Sequence, residues 1–411
     1  MRTFLLLLMT ATPALSQAPA LTLPELTKLT LEKHPRLAQA VYSVEAVRGK
    51  ALQAGMYPNP TISATWDELG DRTGQRGVNS LPRVEQELVL YDKLKLSRAA
   101  VMKEVDQATL TQSALAFTLL ASVRAAYFDC LATQHRVEIS EALVKIAEAA
   151  VTQSQKLLNA GQSSKLDLLQ FEVEHERLKA ERDATLRELP AAYRKLATAV
   201  GVNELPIGSV AGTIDQPFPP YELDRTIKLV LSVHPDVTAA HAGVERARIL
   251  QKRAEVEPKP NVTAYSGYVR QNQNKSNDWM IGFSMPIPAW NRNQGGILTA
   301  KANVGEAVQE VARVENELAD KVATAFRDFA AAKERSERYR TAILPKAREG
   351  LALAMQSYKG GQIEYLKVLE AERSVNGAAL EALKATGDAW KAASALSGLT
   401  LEDDWPFVPT K

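Results

Sequence analysis

The feature that most constrains this chain is that its sequence is written twice. Three separated strings recur 200 residues downstream: His34-Pro35 as His234-Pro235, Tyr57-Pro58-Asn59-Pro60 as Glu257-Pro258-Lys259-Pro260, and Ala160-Gly161-Gln162 as Gly360-Gly361-Gln362. One spacing kept at three places indicates an internal repeat. The sequence therefore predicts a tandem duplication, with residues 19–215 and 216–411 as the two copies, joined at the proline-rich segment 216–220.

Each copy has the same predicted order of elements. A helical run of about 30 residues begins near Leu23 and again near Tyr221. A Pro-x-Pro element ends it, because proline cannot donate the helical hydrogen bond. Two extended segments around a polar loop follow, then a very long helix, a glycine turn and a second long helix. The predicted fold is mainly α with a small β part, each repeat being a helix, a β-hairpin and a long helix pair.

The length of the first long helix is unusual. No glycine or proline occurs from Lys93 to Ala160, so the run could reach about 100 Å at the helical rise. Positions that alternate by three and four residues predict a coiled-coil seam: Val137, Ser140, Val144, Ala147, Val151, Ser154 and Leu158, with Leu344, Ala347, Leu351, Ala354 and Tyr358 in the second copy. The interior of an ordinary helical bundle fits this spacing equally well, but it does not explain the length.

The extended segments are predicted strands at about residues 60–70, 81–91, 260–270 and 277–287. Apolar residues alternate in the first and the last of them, at Ile62, Ala64 and Trp66 and at Trp279, Ile281, Phe283 and Met285. Each segment has the 9 to 11 residues that a tilted strand needs to cross a bilayer. Soluble hairpins show the same pattern. If the strands lie in lipid, four per chain require oligomerisation, because only a closed barrel satisfies their backbone groups.

The first 18 residues resemble a cleaved signal peptide. Arg2 precedes an apolar stretch, and small residues allow cleavage after Ser16 or Ala18. We expect an exported protein without a lipoprotein anchor, since no cysteine follows this stretch. Beyond it, no segment is expected to be apolar enough for a membrane helix.

Charge and motifs argue against several other classes. The chain has 50 Lys+Arg and 48 Asp+Glu, with none of the basic excess typical of nucleic-acid binders. No HExxH, GxSxG, P-loop or CxxC motif occurs, so neither a catalytic site, a metal site nor a cofactor is predicted. Five histidines are scattered along the chain, and the two that repeat precede proline, which favours a role at helix starts. Cys130, the only cysteine, is expected to be a small packing residue.

Several strings, in this order, resemble the TolC family of outer-membrane factors, and within it the CzcC- and CusC-like branch that serves heavy-metal efflux pumps. They are Tyr57-Pro58-Asn59-Pro60 leading into a strand, Tyr91-Asp92-Lys93-Leu94-Lys95-Leu96-Ser97-Arg98 leading out of the next, and Pro286-Ile287-Pro288-Ala289-Trp290-Asn291-Arg292-Asn293-Gln294-Gly295 between strand and helix. The resemblance covers almost the whole mature chain. CusC-like members commonly carry an acylated N-terminal cysteine, from which this sequence departs.

The resemblance implies a homotrimer in the bacterial outer membrane. Three chains would share one β-barrel, and their long helices would form a periplasmic tube. The trimer would conduct substrate passively, heavy-metal cations in this branch, from a periplasmic adaptor and an inner-membrane pump. The alternatives are a multidrug or type I secretion channel and, in another class, a soluble periplasmic coiled-coil adaptor or scaffold.

The resemblance also implies two sets of site residues. The turns containing Gly161 and Gln162, and Gly360, Gly361 and Gln362, would be the tips that dock the adaptor, with Gly161 and Gly361 at positive φ.

Just beyond these turns, Asp167, Lys367 and Glu370 are candidates for the periplasmic gate, where Lys367 would pair with either carboxylate. A solvated helix face is the other interpretation of these three charges.

Overall fold

The computed structural model describes residues 20–66, 78–161, 163–205, 209–271, 274–360, 362–403 and 405–406. The first half contains α1 (Leu23–Lys33), α2 (Pro35–Ala54), β1 (Thr61–Trp66), β2 (Val78–Leu88), α3 (Lys93–Asn159) and α4 (Lys165–Val200). The second half contains α5 (Leu223–Val233), α6 (Pro235–Val256), β3 (Val262–Gln271), β4 (Ser276–Ser284), α7 (Gln294–Arg338), a π-helical turn (Tyr339–Ile343), α8 (Leu344–Lys359) and α9 (Tyr365–Leu399).

The chain divides into two compact units, which we name by their content. The sheet unit comprises residues 36–116 and 223–322. The helical unit comprises residues 1–35, 117–222 and 323–411.

The predicted helical run of about 30 residues in each half consists of two helices. The break falls at His34 and His234, each followed by a proline that starts the next helix. Proline suits the first helical position, where no N–H donor is needed. His234 caps α6, because its Nδ1 accepts the N–H of Asp236 at 3.2 Å. The predicted role of this histidine at a helix start is confirmed, and burial lowers its pKa.

A single proline explains the π-helical turn between α7 and α8. Pro345 has no N–H and its ring would collide with the carbonyl four residues earlier. The helix widens over Tyr339–Ile343, where the Leu344 N–H donates to the Tyr339 carbonyl five residues back. The long helical path of the second half therefore continues through the proline.

The four strands form one antiparallel sheet in the order β1-β2-β3-β4. The strand boundaries differ from the predicted ones. β1 ends at Trp66 in the described chain, and the rest of predicted strand 60–70 lies outside the described residues. β2 begins three residues early because Val78, Asn79 and Ser80, predicted as loop, pair with the end of β3.

The other ends of the strands follow local chemistry. β2 stops at Leu88, short of residue 91, and Tyr91 and Asp92 then turn the chain at φ 60° and 56°. β4 stops at Ser284 rather than 287, because Pro286 and Pro288 cannot donate to a neighbour. β3 covers Val262–Gln271, starting after Pro260.

The predicted seam positions are buried or half-buried, so they pack against other helices as expected. Val137, Ser140, Val144, Ala147 and Ser154 are buried, while Val151 and Leu158 are half-buried. All five seam positions of α8 are half-buried. The seams converge on a core cluster in the helical unit formed by Phe171, Val368 and Leu369.

An apolar stretch in α3 corrects another expectation. An 18-residue window of this helix has a mean hydropathy of 1.4, long and apolar enough by composition to cross a membrane, and half of the window is buried. A core helix meets the same criterion. α3 buries Leu120, Phe128, Cys130 and Leu131 within the helical unit. Burial of these side chains in the core explains why this part of α3 is apolar. Cys130 is a buried free cysteine, as predicted.

An aromatic cluster forms the centre of the helical unit. Trp390 is fully buried and stacks on Phe128 with ring centroids 4.4 Å apart. Trp405 meets both rings edge-on. Such pairs contribute about 1 kcal/mol each beyond their buried area.

Arg124 ties the C-terminal segment to this cluster. Its Nη1 donates to Ser397 Oγ at 2.9 Å, and its Nη2 donates to the carbonyls of Glu402 at 2.6 Å and Asp403 at 3.0 Å. Its guanidinium carbon also lies 5.2 Å from the ring centre of Trp405. The buried guanidinium therefore hydrogen-bonds the carbonyls of Glu402 and Asp403.

We expect Arg124→Ala to lower the free energy of unfolding by about 3 kcal/mol and to expose the C-terminal segment to protease. Thermal unfolding in detergent, followed by tryptophan fluorescence, measures the first effect. Arg327→Ala is the matched control, since its side chain is 72% exposed and pairs with the adjacent Asp328. Equal stability of the two variants would contradict the anchoring role of Arg124.

Candidate functional site

One face of the sheet is apolar. Residues directly opposite in antiparallel strands share a face, and one such row runs through Ile62, Val84, Ser266 and Ile281. On the same face, the register places Trp279 opposite Tyr268 and Phe283 opposite Ala264. The predicted alternation is thus confirmed for β4.

The other face is polar. One row contains Thr61, Glu85, Tyr265 and Gly282. The next row contains Ser63, Arg83, Gly267 and Met280.

The polar side chains are bound to one another. Arg83 Nε and Glu85 Oε1 lie 2.7 Å apart as an ion pair, and the Arg83 guanidinium lies 4.2 Å from the centre of the Tyr265 ring. Arg83 and Glu85 of this face are therefore paired with each other.

The apolar face of this sheet is more exposed to solvent than its polar face, which is the reverse of a soluble sheet. The side chains of Arg83 and Glu85 are 33% and 31% exposed, whereas Ile62, Ile281 and Trp279 are 73%, 75% and 79% exposed. A soluble antiparallel sheet covers its apolar face with its own core. Contiguous exposed apolar surface marks a site of contact with a membrane or another protein.

The first glycine turn has the predicted geometry. Gly161 has φ 70°, which favours glycine, and its N–H donates to the Leu158 carbonyl at 3.0 Å. A Cβ at this position would have no atom within 4 Å. Gln162 lies outside the described residues.

The second glycine turn is described in part. The backbone of Gly360 has a right-handed helical conformation with φ −81°, and its N–H donates to the Gln356 carbonyl at 3.1 Å. The Gln362 N–H donates to the Ser357 carbonyl at 2.9 Å. Gly361 lies outside the described residues, so its positive φ stays a prediction.

Asp167 is part of a capping box at the start of α4. The Ser164 Oγ accepts the Asp167 N–H at 3.1 Å, and Asp167 Oδ2 accepts the Ser164 N–H at 3.0 Å. Asp167 Oδ2 also accepts the hydroxyls of Ser163 and Ser164. Led by the backbone hydrogen bond from Ser164, these contacts lower the pKa of Asp167. The carboxylate stabilises its own helix end.

Lys367 pairs with Glu370 in its own helix, with Nζ and Oε2 2.9 Å apart. Both side chains are more than half exposed, so the pair contributes only a few tenths of a kcal/mol. Of the two predicted partners of Lys367, the structure brings only Glu370 to it. The role of the three charges as a gate stays a prediction.

An ion pair that no sequence pattern predicted joins α4 to α9. Arg373 donates from Nε at 3.1 Å and from Nη2 at 2.5 Å to Oε2 of the buried Glu174. Arg177, from the same helix as Glu174, lies 3.7 Å away. Glu174 and Arg373 are 199 residues apart, close to the repeat spacing of 200. Opposite charges at nearly equivalent positions of the two halves were the sequence pattern that could have predicted this pair.

A cavity of about 310 Å³ lies beside this pair in the helical unit, lined by residues of α3, α4 and α9. Arg136, Arg177 and Arg373 face it together with Glu174 and Glu181. In the part of the chain that the structure describes, no group of three or more His, Cys, Asp or Glu side chains could hold a metal ion.

Comparison with known proteins identifies relatives along most of the chain. The family model described as "Outer membrane efflux protein" matches twice, at residues 26–202 and 226–400. The cobalt-zinc-cadmium resistance protein CzcC of Cupriavidus metallidurans is 24% identical over 379 residues, covering 92% of this chain and 90% of the relative. The toluene efflux pump outer membrane protein TtgF of Pseudomonas putida is 24% identical, covering 85% and 77%.

The fold has solved counterparts. The outer membrane protein VceC of Vibrio cholerae superposes with a TM-score of 0.76 at 20% identity, covering 92% of this chain and 95% of the other. The TolC-like resemblance read from the sequence is confirmed. Relatives and structural neighbours are outer-membrane channels rather than enzymes. The chain belongs to the family of outer membrane efflux proteins.

Proposed function

We propose that this outer membrane efflux protein is the passive exit channel of a tripartite pump that exports heavy-metal cations. In this proposal three copies form one channel, each contributing its four strands to a shared barrel. Residues 19–215 and 216–411 are the two duplicated repeats, behind a signal peptide at residues 1–18. A periplasmic adaptor and an inner-membrane pump supply the substrate.

The single observation that carries the proposal is that the apolar side chains of the sheet are more exposed to solvent than Arg83 and Glu85 on its polar face. In a bilayer the exposed Ile62, Trp279 and Ile281 would contact lipid, while Arg83 and Glu85 would line an aqueous passage. A sheet in lipid cannot leave edge strands unpaired. In the described sheet β1 and β4 are the edges, so neighbouring copies would have to pair with them.

Heavy-metal cations are favoured by the relative CzcC, whose name specifies cobalt, zinc and cadmium and which matches almost end to end. TtgF, named for toluene efflux, is equally identical over a smaller share of each chain. A multidrug or solvent channel is therefore the second candidate. Family membership favours either channel over a soluble adaptor.

A pair of serines tests which face of the sheet meets water. Ser63 lies in the polar row of Arg83, and Ser266 lies in the apolar row of Ile62. In membranes we expect Ser63→Cys to react with a water-soluble, membrane-impermeant thiol reagent and Ser266→Cys to be protected by lipid. Native Cys130 is buried and gives a low background.

Detergent provides the control for this experiment, because both cysteines should react after solubilisation and denaturation. Equal labelling of Ser63→Cys and Ser266→Cys in intact membranes would contradict a lipid-facing apolar surface.

The glycine turns are proposed as adaptor-docking tips, comprising Gly161, Gln162, Gly360, Gly361 and Gln362. Gly161 supports this proposal because its Cβ position is open and its φ of 70° makes a compact turn. Helix hairpins that end in such turns can fit against helices of a partner.

Substitutions at Gly161 test docking and substrate together. In a deletion strain, we expect the parent gene and Gly161→Asn to restore growth on cobalt, zinc or cadmium, because asparagine tolerates positive φ. Gly161→Pro should fail, since proline fixes φ near −65°, while its amount in the outer membrane stays unchanged. Minimum inhibitory concentrations for metals, dyes and toluene measure the outcome. Protection against toluene alone would favour the second candidate.

Closure of the periplasmic end is proposed to involve two levels of charge. The first is the predicted gate set Asp167, Lys367 and Glu370. The second is the Glu174–Arg373 pair, which ties α4 to α9 and must break if the two helices separate. The buried carboxylate makes the second level the stronger one.

Two substitutions locate the closure. Arg373→Ala leaves Glu174 buried without its main partner, which we expect to cost about 2 kcal/mol because Arg373 is itself 46% exposed. Single-channel conductance in planar bilayers should rise. Lys367→Glu should raise conductance too if the predicted gate operates, and high salt should reduce that effect.

Matched controls are available for both substitutions. Arg177→Ala removes the more distant arginine from Glu174, and Lys179→Glu breaks an exposed pair with Glu176 of the same spacing as Lys367–Glu370. Arg373→Ala indistinguishable from Arg177→Ala would remove the α4–α9 pair from the closure. The same comparison of Lys367→Glu with Lys179→Glu decides the predicted gate.

A further inference from the structure

Tyr265 lies flat against the sheet because its neighbour has no side chain. A Cβ added at Gly282 would come within 2.3 Å of Tyr265 Cζ and Oη and within 2.6 Å of Cε2. The phenol ring therefore occupies the space that any other residue at 282 would fill. Gly282 faces Tyr265 directly in the register, so this is contact within one row of the polar face.

Arg83 also lies over the Tyr265 ring. Its guanidinium lies 4.2 Å from the ring centre, an arrangement stabilised by cation–π attraction. Glu85 holds the same guanidinium at 2.7 Å.

Close approach of the strands completes the arrangement. Gly267, opposite Arg83, is buried, and a Cβ there would meet the Arg83 Cα at 3.2 Å. Two glycines thus let the two largest polar-face side chains lie along the sheet instead of projecting from it.

We propose that Arg83, Glu85 and Tyr265 form a collar that sets the width of the aqueous passage and hence the size of solute that can leave. The proposal rests on the proposed function, since the collar lines a passage only if the polar face is the lumen. Three copies would bring three phenol rings to one level. With each ring held on Gly282, the passage admits larger solutes; a ring displaced from the sheet narrows it.

Displacing the ring tests the collar. Gly282→Ala puts a methyl group where the ring lies, and the ring, as the movable partner, must swing towards the lumen. We expect lower single-channel conductance in planar bilayers and exclusion of smaller polyethylene glycols than in the parent. Tyr265→Ala should have the reverse effect, and it should abolish the effect of Gly282→Ala when the two are combined.

Gly305→Ala is the matched control, since a Cβ at Gly305 meets no atom within 4 Å. Arg83→Gln is a second, independent variant that keeps Gly282 and removes the cation over the ring. We expect it to increase open-channel noise by freeing the ring to move.

The outcomes separate this proposal from the proposed function. A parent protein that forms no channel would overturn both. A conducting parent whose conductance and polymer cut-off are shared by Gly282→Ala and Gly305→Ala would overturn the collar alone. A fall in conductance that persists in the Gly282→Ala/Tyr265→Ala double variant would also overturn it, because the narrowing would then not be due to the ring.

Discussion

The rest of the structure depends on how the backbone of a four-stranded sheet is satisfied at its edges. β2 and β3 are paired on both sides, whereas β1 and β4 each have one neighbour in the described sheet. In water such edges are solvated, but in hydrocarbon each unpaired N–H or C=O costs several kcal/mol. A chain with an exposed apolar sheet face and two open edges is thus incomplete alone. The open edges are satisfied if copies of the chain pair edge to edge, and the apolar face is satisfied if it contacts lipid.

Most of the fold could be predicted from the periodicity of apolar residues and from the positions of glycine and proline. The glycine- and proline-free run predicted α3 almost to the residue, and the three–four spacing predicted its buried seam. Proline in the sequence marks where helices stop but not how the chain responds. At Pro235 the helix restarts behind a histidine cap, whereas at Pro345 it continues through a π-helical turn. The histidine before Pro235 indicated the restart, whereas no local pattern indicated the π-helical turn before Pro345.

The candidate site was less predictable because its contacts join residues far apart in the chain. Asp167 was correctly located near a turn, but its hydrogen bonds belong to a capping box, whose Ser-x-x-Asp spacing could have been read. The Glu174–Arg373 pair spans 199 residues and depends on which faces of α4 and α9 meet. The contact of Tyr265 with Gly282 depends on strand register, which no local pattern fixes to the residue.

The proposed passive conduit would also account for the kind of chemistry found along the chain. A tight site for its cargo would slow release, so a channel benefits from walls whose charges are already paired. Arg83 is bound to Glu85 and Glu174 to Arg373, and each pair leaves less uncompensated charge to trap an ion. Paired charges keep the wall of a passage hydrated without binding a passing ion tightly. In the proposed channel, the features left to control passage would be geometric, namely the width that the Tyr265 ring leaves open and the distance between α4 and α9 that the Glu174–Arg373 pair holds.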